Sequence, residues 1–421
     1  MDNNMLNSEL RLYTERNGQR GFDITKTVDL FRRFAFIEHS CVRALAGWFL
    51  KAPKWETKLQ LGYLLFGHAE RVYELQGRLE ELRGGHREAN TEPSLAQWGE
   101  ELVHAPDEAS FISGHIWTLH ILAGLYRDYL DVADRSANAT EIRIIRRHLP
   151  DIERDLQELR KLASESEFGR GSLPDSQPAT STKAWIDYLD NLLAKAGGLE
   201  GMKPRETSSV PRPDQAHFAW PIPILFDERI ETLDLGSYES KLTMPLEGRR
   251  IGEFEVYFNE FYAAALLATV IYDSWKVQAP RQFFMDIAHH FWDEVRHAEF
   301  GALRLREAGV EPTKVNMVLF DQSRNMPFLH RICYLALDLE IYFMPRKRGR
   351  VRYYEQEGDG RSQLFADVDW SDEMNHVRYG KQWVDYFLRD DSRTVEELHE
   401  EIAVYLKEYK EQLSGAPMVP W

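Results

Sequence analysis

Asp293-Glu294-Val295-Arg296-His297 and its echo Asp372-Glu373-Met374-Asn375-His376 decide how this chain reads. Each places a carboxylate and an imidazole three residues apart, one turn along the same side of a helix. Two such pairs on facing helices supply four ligands to a pair of metal ions. A bundle site of this kind also takes one lone Glu from each of two further helices, and Glu260 and Glu340 stand at suitable separations.

Glu260, Glu294, His297, Glu340, Glu373 and His376 together offer four carboxylates and two imidazoles. Two divalent ions carry four positive charges, which four carboxylates balance without forcing protons onto a buried cluster. Glu294 and Glu373 are expected to bridge the ions and to sit closest to the chemistry. Glu260 and Glu340 are expected as terminal ligands, and His297 and His376 as ligands to one ion each. Oxygen and imidazole donors suit iron or manganese. Asp293 and Asp372 each precede the histidine of their own motif by four residues and are expected to orient that ring. Arg296 is expected to neutralise the aspartate of the opposing motif, Asp372, while Asn375 at the equivalent place only hydrogen-bonds.

The same faces extend further. Gly301 and Gly380 lie four residues past the two histidines, where a missing side chain lets a helix or a ligand come close. His290 and Asp369 lie four before the two glutamates and read as cavity lining or as support for the ligands. Asp338 competes with Glu340 from half a turn away. The run Arg346-Lys347-Arg348-Gly349-Arg350 reads as a solvated helix end.

Around these motifs the chain reads as all-α. Residues 1–165 form a four-helix domain after an irregular polar lead to residue 26. Its helices run from about Thr27 to Leu50, Trp55 to Leu82, Ser110 to Val132 and Asn138 to Leu162. Asn138 followed by Glu141 is a capping-box signature, and Pro150 is expected to kink or split the last helix near His148. Residues 166–248 form a long, partly ordered connection with a loop at 169–174, a short helix at Trp185–Lys195 and an aromatic, proline-rich strap at 218–226. Residues 249–421 hold a second four-helix set, about Ile251–Trp275, Pro280–Glu307, Phe328–Phe343 and Asp369–Phe387. A C-terminal helix capped by Thr394 and Glu397 follows.

The halves echo one another. His68 and His148 are 80 residues apart and His297 and His376 are 79 apart, while Glu38 precedes His68 much as Glu260 precedes His297. This spacing reads as a duplicated unit. Where the second half has Asp293, Glu294, Asp372 and Glu373, the first has Leu64, Leu65, Ile144 and Ile145. The first domain is therefore expected to lack a dinuclear site, and whether Glu38, His68 and His148 keep a mononuclear or residual site is left open by the sequence.

At 421 residues the chain exceeds the usual single core, and 43% apolar with 12% aromatic residues indicates large buried interiors. A net charge of -16 disfavours nucleic acid or an anionic membrane as a partner. Only Cys41 and Cys333 are present, so a disulfide scaffold is not expected and a reducing, cytoplasmic setting is. Phe261–Tyr272 is the nearest approach to a membrane span and is too short.

The order Glu260, Asp293-Glu-Val-Arg-His297, Glu340, Asp372-Glu-Met-Asn-His376 resembles the ferritin-like dinuclear carboxylate superfamily, over residues 250–390. It is closest to the DExRH branch, which includes ribonucleotide reductase small subunits and soluble bacterial multicomponent monooxygenases; the second copy departs from the signature at Asn375. The resemblance implies two ferritin-like bundles and two iron ions held by the six residues, with mixed manganese–iron or dimanganese as alternatives. It also implies use of dioxygen for oxygenation, oxidation or radical generation, or else iron oxidation and storage. A reductase subunit needs a tyrosine beside the metals, and neither Tyr257 nor Tyr334 stands at an evident place. The second domain and the long connection favour a di-iron oxygenase or oxidase acting on a small organic substrate. An electron-donor protein and a second copy of the chain are further candidate partners. The alternatives are a ferroxidase or iron- or manganese-binding protein without organic substrate, and a structural or interaction protein with a vestigial site.

Overall fold

The structure is a computed structural model that describes residues 9–16, 21–82, 93–165, 180–206, 210–213, 216–219, 223–233 and 246–412. The loop expected at 169–174 lies outside them, as does part of the strap at 218–226. The protein is all-helical, with two helix-bundle modules linked by a connecting region. It divides into two compact units that interleave along the chain: Met1–Trp48 with Leu64–Trp220, and Phe49–Tyr63 with Pro221–Trp421.

The first unit draws on α1 (Glu9–Arg16), α2 (Ile24–Lys51), α3 (Trp55–Glu81), α4 (Pro93–Glu101), α5 (Glu108–Val132), α6 (Ala139–Glu165) and α7 (Thr180–Lys195). Stacked aromatics fill its interior, with Trp48 4.6 Å from Phe111 and Phe22 4.9 Å from Tyr129. α1 forms in what the sequence suggests is an irregular lead, and α4 forms in the mostly polar stretch between the second and third expected helices. In α4, Leu95 and Trp98 lie one turn apart and bury a narrow apolar stripe that proline and glutamate hide in a composition average. α6 runs unbroken through Pro150, so the helix is not split there. Its buried row Ile142, Ile145, Ile152, Leu156 and Leu159 holds the helix in place despite the hydrogen bond that proline removes.

The capping box expected at Asn138 does not form, because Glu141 turns to Arg78 at 2.7 Å. Asn138 instead clips distant backbone: its Oδ1 accepts from Phe22 N at 3.0 Å and Asp134 N at 3.1 Å, and its Nδ2 donates to Phe22 O at 2.9 Å. Asn138→Ala leaves these buried groups without partners and is expected to cost about 2 kcal/mol. A shift of the urea midpoint equivalent to less than 0.5 kcal/mol would exclude the clip as a structural element.

The second unit contains α8 (Leu246–Asn259), α9 (Phe261–Asp273), α10 (Arg281–Glu307), α11 (Val318–Ser323), α12 (Phe328–Cys333), α13 (Glu340–Glu357), α14 (Gly360–Leu388) and α15 (Val395–Gln412). A minor parallel pair joins β1 (Glu231–Leu233) to β2 (Lys314–Asn316). α8 and α9 together make one helical stretch, Gly248–Asp273, that is long and apolar enough to cross a membrane by length and composition; 83% of that window is buried inside the protein. It is longer than the apolar run visible in sequence, because Glu253 and Glu260 interrupt the run without ending the helical path. α15 begins with the expected capping box, Thr394 N donating to Glu397 Oε2 at 2.8 Å and Glu397 N to Thr394 Oγ1 at 3.2 Å.

Three local devices bring these helices to their working separations. A Cβ on Gly301 would meet the Phe258 backbone N, Phe254 O at 2.6 Å and Phe258 Cα at 2.7 Å, so α10 touches α8 backbone to backbone. A Cβ on Gly380 would lie 2.5 Å from Ala336 Cβ. Between α12 and α13 the segment Tyr334–Leu339 is a π-helix, in which Glu340 N–H reaches back five residues to Leu335 O. One residue more than an α-helical path rotates the chain at that point and re-aims the residues that follow.

Candidate metal centre

α10 carries His290, Asp293, Glu294 and His297 at helical spacing, and α14 carries Asp369, Asp372, Glu373 and His376 on its facing side. Glu260 sits at the junction of α8 and α9, and Glu340 opens α13 directly after the π-helical segment. All these side chains except Asp372 are buried. Asp338 is diverted to His399 Nδ1 at 2.7 Å, which leaves Glu340 as the residue that faces the centre.

The inward donors fall into two groups, His290, Glu294, Glu340 and His376, and Glu260, His297, Asp369 and Glu373; within each group the ligand atoms lie within 4.8 Å of one another. In the first group His290 Nε2 is 3.4 Å from Glu294 Oε1 and 3.5 Å from Glu340 Oε1, and His376 Nδ1 is 3.3 Å from Glu294 Oε1. In the second, His297 Nδ1 is 3.0 Å from Glu260 Oε2 and 3.5 Å from Asp369 Oδ1. Donors that share an ion at roughly 2.1 Å stand about 3 Å apart, so these separations are close to those of a ligand shell. Glu294 faces both groups, since its Oε2 lies 3.9 Å from His297 Nδ1. Glu373 does the same, with Oε2 3.7 Å from His376 Nδ1.

The supporting aspartates are crossed relative to the sequence expectation. Asp293 accepts from His376 Nε2 at 3.1 Å, and Asp372 from His297 Nε2 at 3.2 Å, so each helix orients the imidazole of the other. An aspartate four residues before a histidine on its own helix points along the helix surface, while the ring turns inward across the interface. Arg296 binds Asp372 at 2.8 Å, as the sequence suggests, and also contacts Asp293 on its own helix. Asn375 lies away from the centre, partly exposed, with its amide 3.4 Å from Ser371 O.

Three residues take parts that sequence reading did not give them. His290 and Asp369 stand among the donors themselves. Lys347 belongs to a run that reads as solvated, yet Lys347 and Arg350 point inward while Arg346 and Arg348 stay exposed. Lys347 Nζ donates to Glu260 Oε1 at 3.0 Å, Asp369 Oδ1 at 2.6 Å and Glu373 Oε1 at 2.5 Å. The signal for this was the three-residue spacing of Lys347 and Arg350 on the helix that begins with Glu340. Tyr257 donates to Asp369 Oδ2 at 2.9 Å, so a phenol does stand beside the centre. Tyr334 instead accepts from Gln322 Nε2 at 2.6 Å.

Electrostatics bind the cluster together. Burial pushes the Glu294 carboxyl up, but His290, His376 and His297 outweigh it and hold the group well below the usual carboxylate range. Burial lowers His297, and Asp369, Asp372 and Glu260 more than reverse it, to about 10. His376 is raised likewise by Asp293 and Glu294 against the effect of burial. Burial lowers Lys347 while Asp369, Glu260 and Glu340 raise it above its ordinary value, so it stays charged.

The His297 proton has a consequence for stability. Its contribution is fully present below about pH 6.5 and is lost as pH rises towards about 10, because the folded state holds the proton more tightly than the unfolded chain. Chelator-treated protein is expected to lose on the order of 4 kcal/mol across that window. Metal-loaded protein, whose ring nitrogens are held deprotonated, is expected to lose far less. Urea unfolding at both ends of the window measures the difference, and equal stabilities of the metal-free protein would contradict a protonated cluster.

In the first unit, Leu64, Leu65, Ile144 and Ile145 are packed in the core. Of the set that the sequence left open, His68 contacts Glu38, while His148 pairs with Glu74 at 2.8 Å.

Fold and site together define a ferritin-like all-helical protein with two candidate metal-binding clusters. The sequence model of a family described as "Protein of unknown function (DUF455)" matches residues 249–417, a stretch that contains every residue of the centre. No curated protein and no solved structure matches the chain.

Proposed function

We propose that this protein is an oxidoreductase of the oxygenase or oxidase type, in which a pair of iron ions held by the second unit reacts with dioxygen to oxidise a small organic substrate. One observation carries the metal pair. Glu260 Oε2, His290 Nε2, Glu294 Oε1, His297 Nδ1, Glu373 Oε2 and His376 Nδ1 are all buried and turned inward, and none makes a well-aligned hydrogen bond; their nearest polar neighbours are one another. Six such atoms in one place are costly unless something positive satisfies them. Charge supports the same reading: five carboxylates from Glu260, Glu294, Glu340, Asp369 and Glu373, offset by the Lys347 ammonium, balance two divalent ions. Manganese in one or both positions suits the same donors.

Two ions of this kind supply paired electrons for the reduction of dioxygen. The chain's own residues do the rest. Asp293 and Asp372 fix each histidine's inward nitrogen from the opposite helix. Lys347 holds the outer oxygens of Glu260 and Glu373 and keeps their inner ones aimed at the centre, and it binds Asp369 through Oδ1 while Tyr257 holds Oδ2. Tyr257 holds a proton against Asp369, and Tyr262, raised by burial and by Glu340, Glu294 and Glu260, keeps a second one nearby. Burial of the donors excludes bulk water and limits side reactions. Both cysteines are free and buried, which fits a reducing compartment.

The test is metal content and dioxygen uptake of protein loaded with ferrous ion without air, with Glu294→Ala as control. The expected result is about two irons per chain, dioxygen uptake that continues while reductant is supplied, and loss of both in the variant. Uptake that stops once the iron is oxidised moves the assignment to a ferroxidase. Protein that takes up no metal leaves a structural role in its place.

A further inference from the structure

The N-terminal unit holds another convergence of ligand-type side chains, on three helices. Cys41 on α2, His68 on α3 and His115 on α5 are buried, and the thiol and one nitrogen of each ring lie within 4.8 Å of one another. Glu38, one turn before Cys41, contacts His68 Nδ1. Arg71 Nε lies 3.0 Å from both Glu38 oxygens, and Arg71 Nη1 lies 3.1 Å from Asp155 Oδ2. A carboxylate fixed in this way places the His68 proton on Nδ1 and leaves Nε2 as a lone pair, which is the arrangement that prepares a histidine for a metal. That Nε2 faces His115 Nε2 at 3.1 Å. Two imidazole nitrogens on one tetrahedral ion stand roughly 3.3 Å apart, so the rings already have the separation of a ligand pair.

We propose that Cys41, His68 and His115 form a mononuclear site for a borderline divalent ion of the zinc type. One thiolate and two imidazoles are a donor set that zinc takes, with a fourth position for a small ligand. His115 also lines a small cavity with Phe111, Gly114 and Trp185, which has room for about one water. Charge selects a divalent ion over a monovalent one. Arg71 offsets one of Glu38 and Asp155, and the Cys41 thiolate adds a second negative charge, so an ion of charge two brings the buried group to neutrality. Without an ion, a proton between the facing Nε2 atoms satisfies both rings, and the thiol stays protonated because burial and Glu38 hold it well above its ordinary range. Metal and protons therefore compete for the same three atoms.

The full-length chain carrying Cys333→Ser, titrated anaerobically with Co2+, separates this site from the carboxylate centre, whose donors include no sulfur. The expected result is a near-ultraviolet thiolate-to-cobalt band with the amplitude of a single bond, removed by added Zn2+ and lost in Cys41→Ser. Zinc-edge absorption spectroscopy on the same Cys333→Ser protein reads the site without touching it, and is expected to show one sulfur at about 2.3 Å. Absence of both the band and the sulfur shell, or a band that survives Cys41→Ser in folded protein, overturns the proposal. Neither result bears on iron binding by the C-terminal donors.

Discussion

Lys347→Met is expected to destabilise the metal-free protein by about 3–5 kcal/mol. The ammonium is buried and is shared by Glu260, Asp369 and Glu373 at 2.5–3.0 Å. Methionine fills most of the volume but removes the one cation that all three carboxylates share, leaving only protonated His297 and, further off, Arg350 to offset them. Breaking a buried ion pair from one side is far costlier than never having built it, because the remaining charges cannot return to water. Metal loading restores positive charge at the inner oxygens and is expected to recover a large part of the loss. Urea unfolding of wild type and variant, each with chelator and with metal, gives the four numbers needed. A variant as stable as wild type when metal-free would falsify the view that Lys347 anchors the cluster. One destabilised equally with and without metal would place the lysine outside the charge balance of the centre.

Gly301→Ala is expected to damage stability and metal binding together. The added methyl has backbone atoms of Phe254 and Phe258 on its path, and main chain within a helix cannot rotate aside as a side chain can. α8 must back away from α10, at a cost of about 3 kcal/mol or more. Glu260 follows Phe258 by two residues, and His297 precedes Gly301 by one turn. The same displacement therefore separates Glu260 Oε2 from His297 Nδ1, which stand 3.0 Å apart. Iron content per folded chain is expected to fall with the melting temperature. Gly252→Ala is the matched control, because nothing lies within 4 Å of its added methyl. A Gly301→Ala protein that melts and loads metal like the control would show that α8 is free to shift without consequence.

The sequence spacing of the two Glu-x-x-His motifs was enough to locate α10 and α14 and to select Glu260 and Glu340, because helical period and a lone carboxylate on an apolar face are local signals. Partnership across helices is not local, and there the reading holds for Arg296 with Asp372 but not for the Asp–His pairs. The Asp–His pairs are crossed because rotation of each helix, which no single motif encodes, sends the ring inward and the aspartate sideways. Lys347 was hidden by its neighbours: in Arg346–Arg350 every residue but one is basic, and only the packed bundle separates those that turn in from those that turn out. Sequence spacing favours Glu340 over Asp338, half a turn away, and the structure adds where Asp338 goes instead, to His399. Asn138 shows the opposite limit, where a sound local rule gave way to a distant backbone partner.

The crossed Asp–His pairs also bear on when, during synthesis, this protein becomes competent to hold metal. A nascent chain that has released α10 but not α14 has His297 without Asp372 and Asp293 without His376. Its first Glu-x-x-His motif is then a flexible chelator with no fixed ring orientation. Only after residue 376 has left the ribosome and the two helices have docked do both imidazoles acquire their partners, in a single step. An oriented pair of imidazoles therefore requires α10 and α14 together, and neither helix can supply it alone.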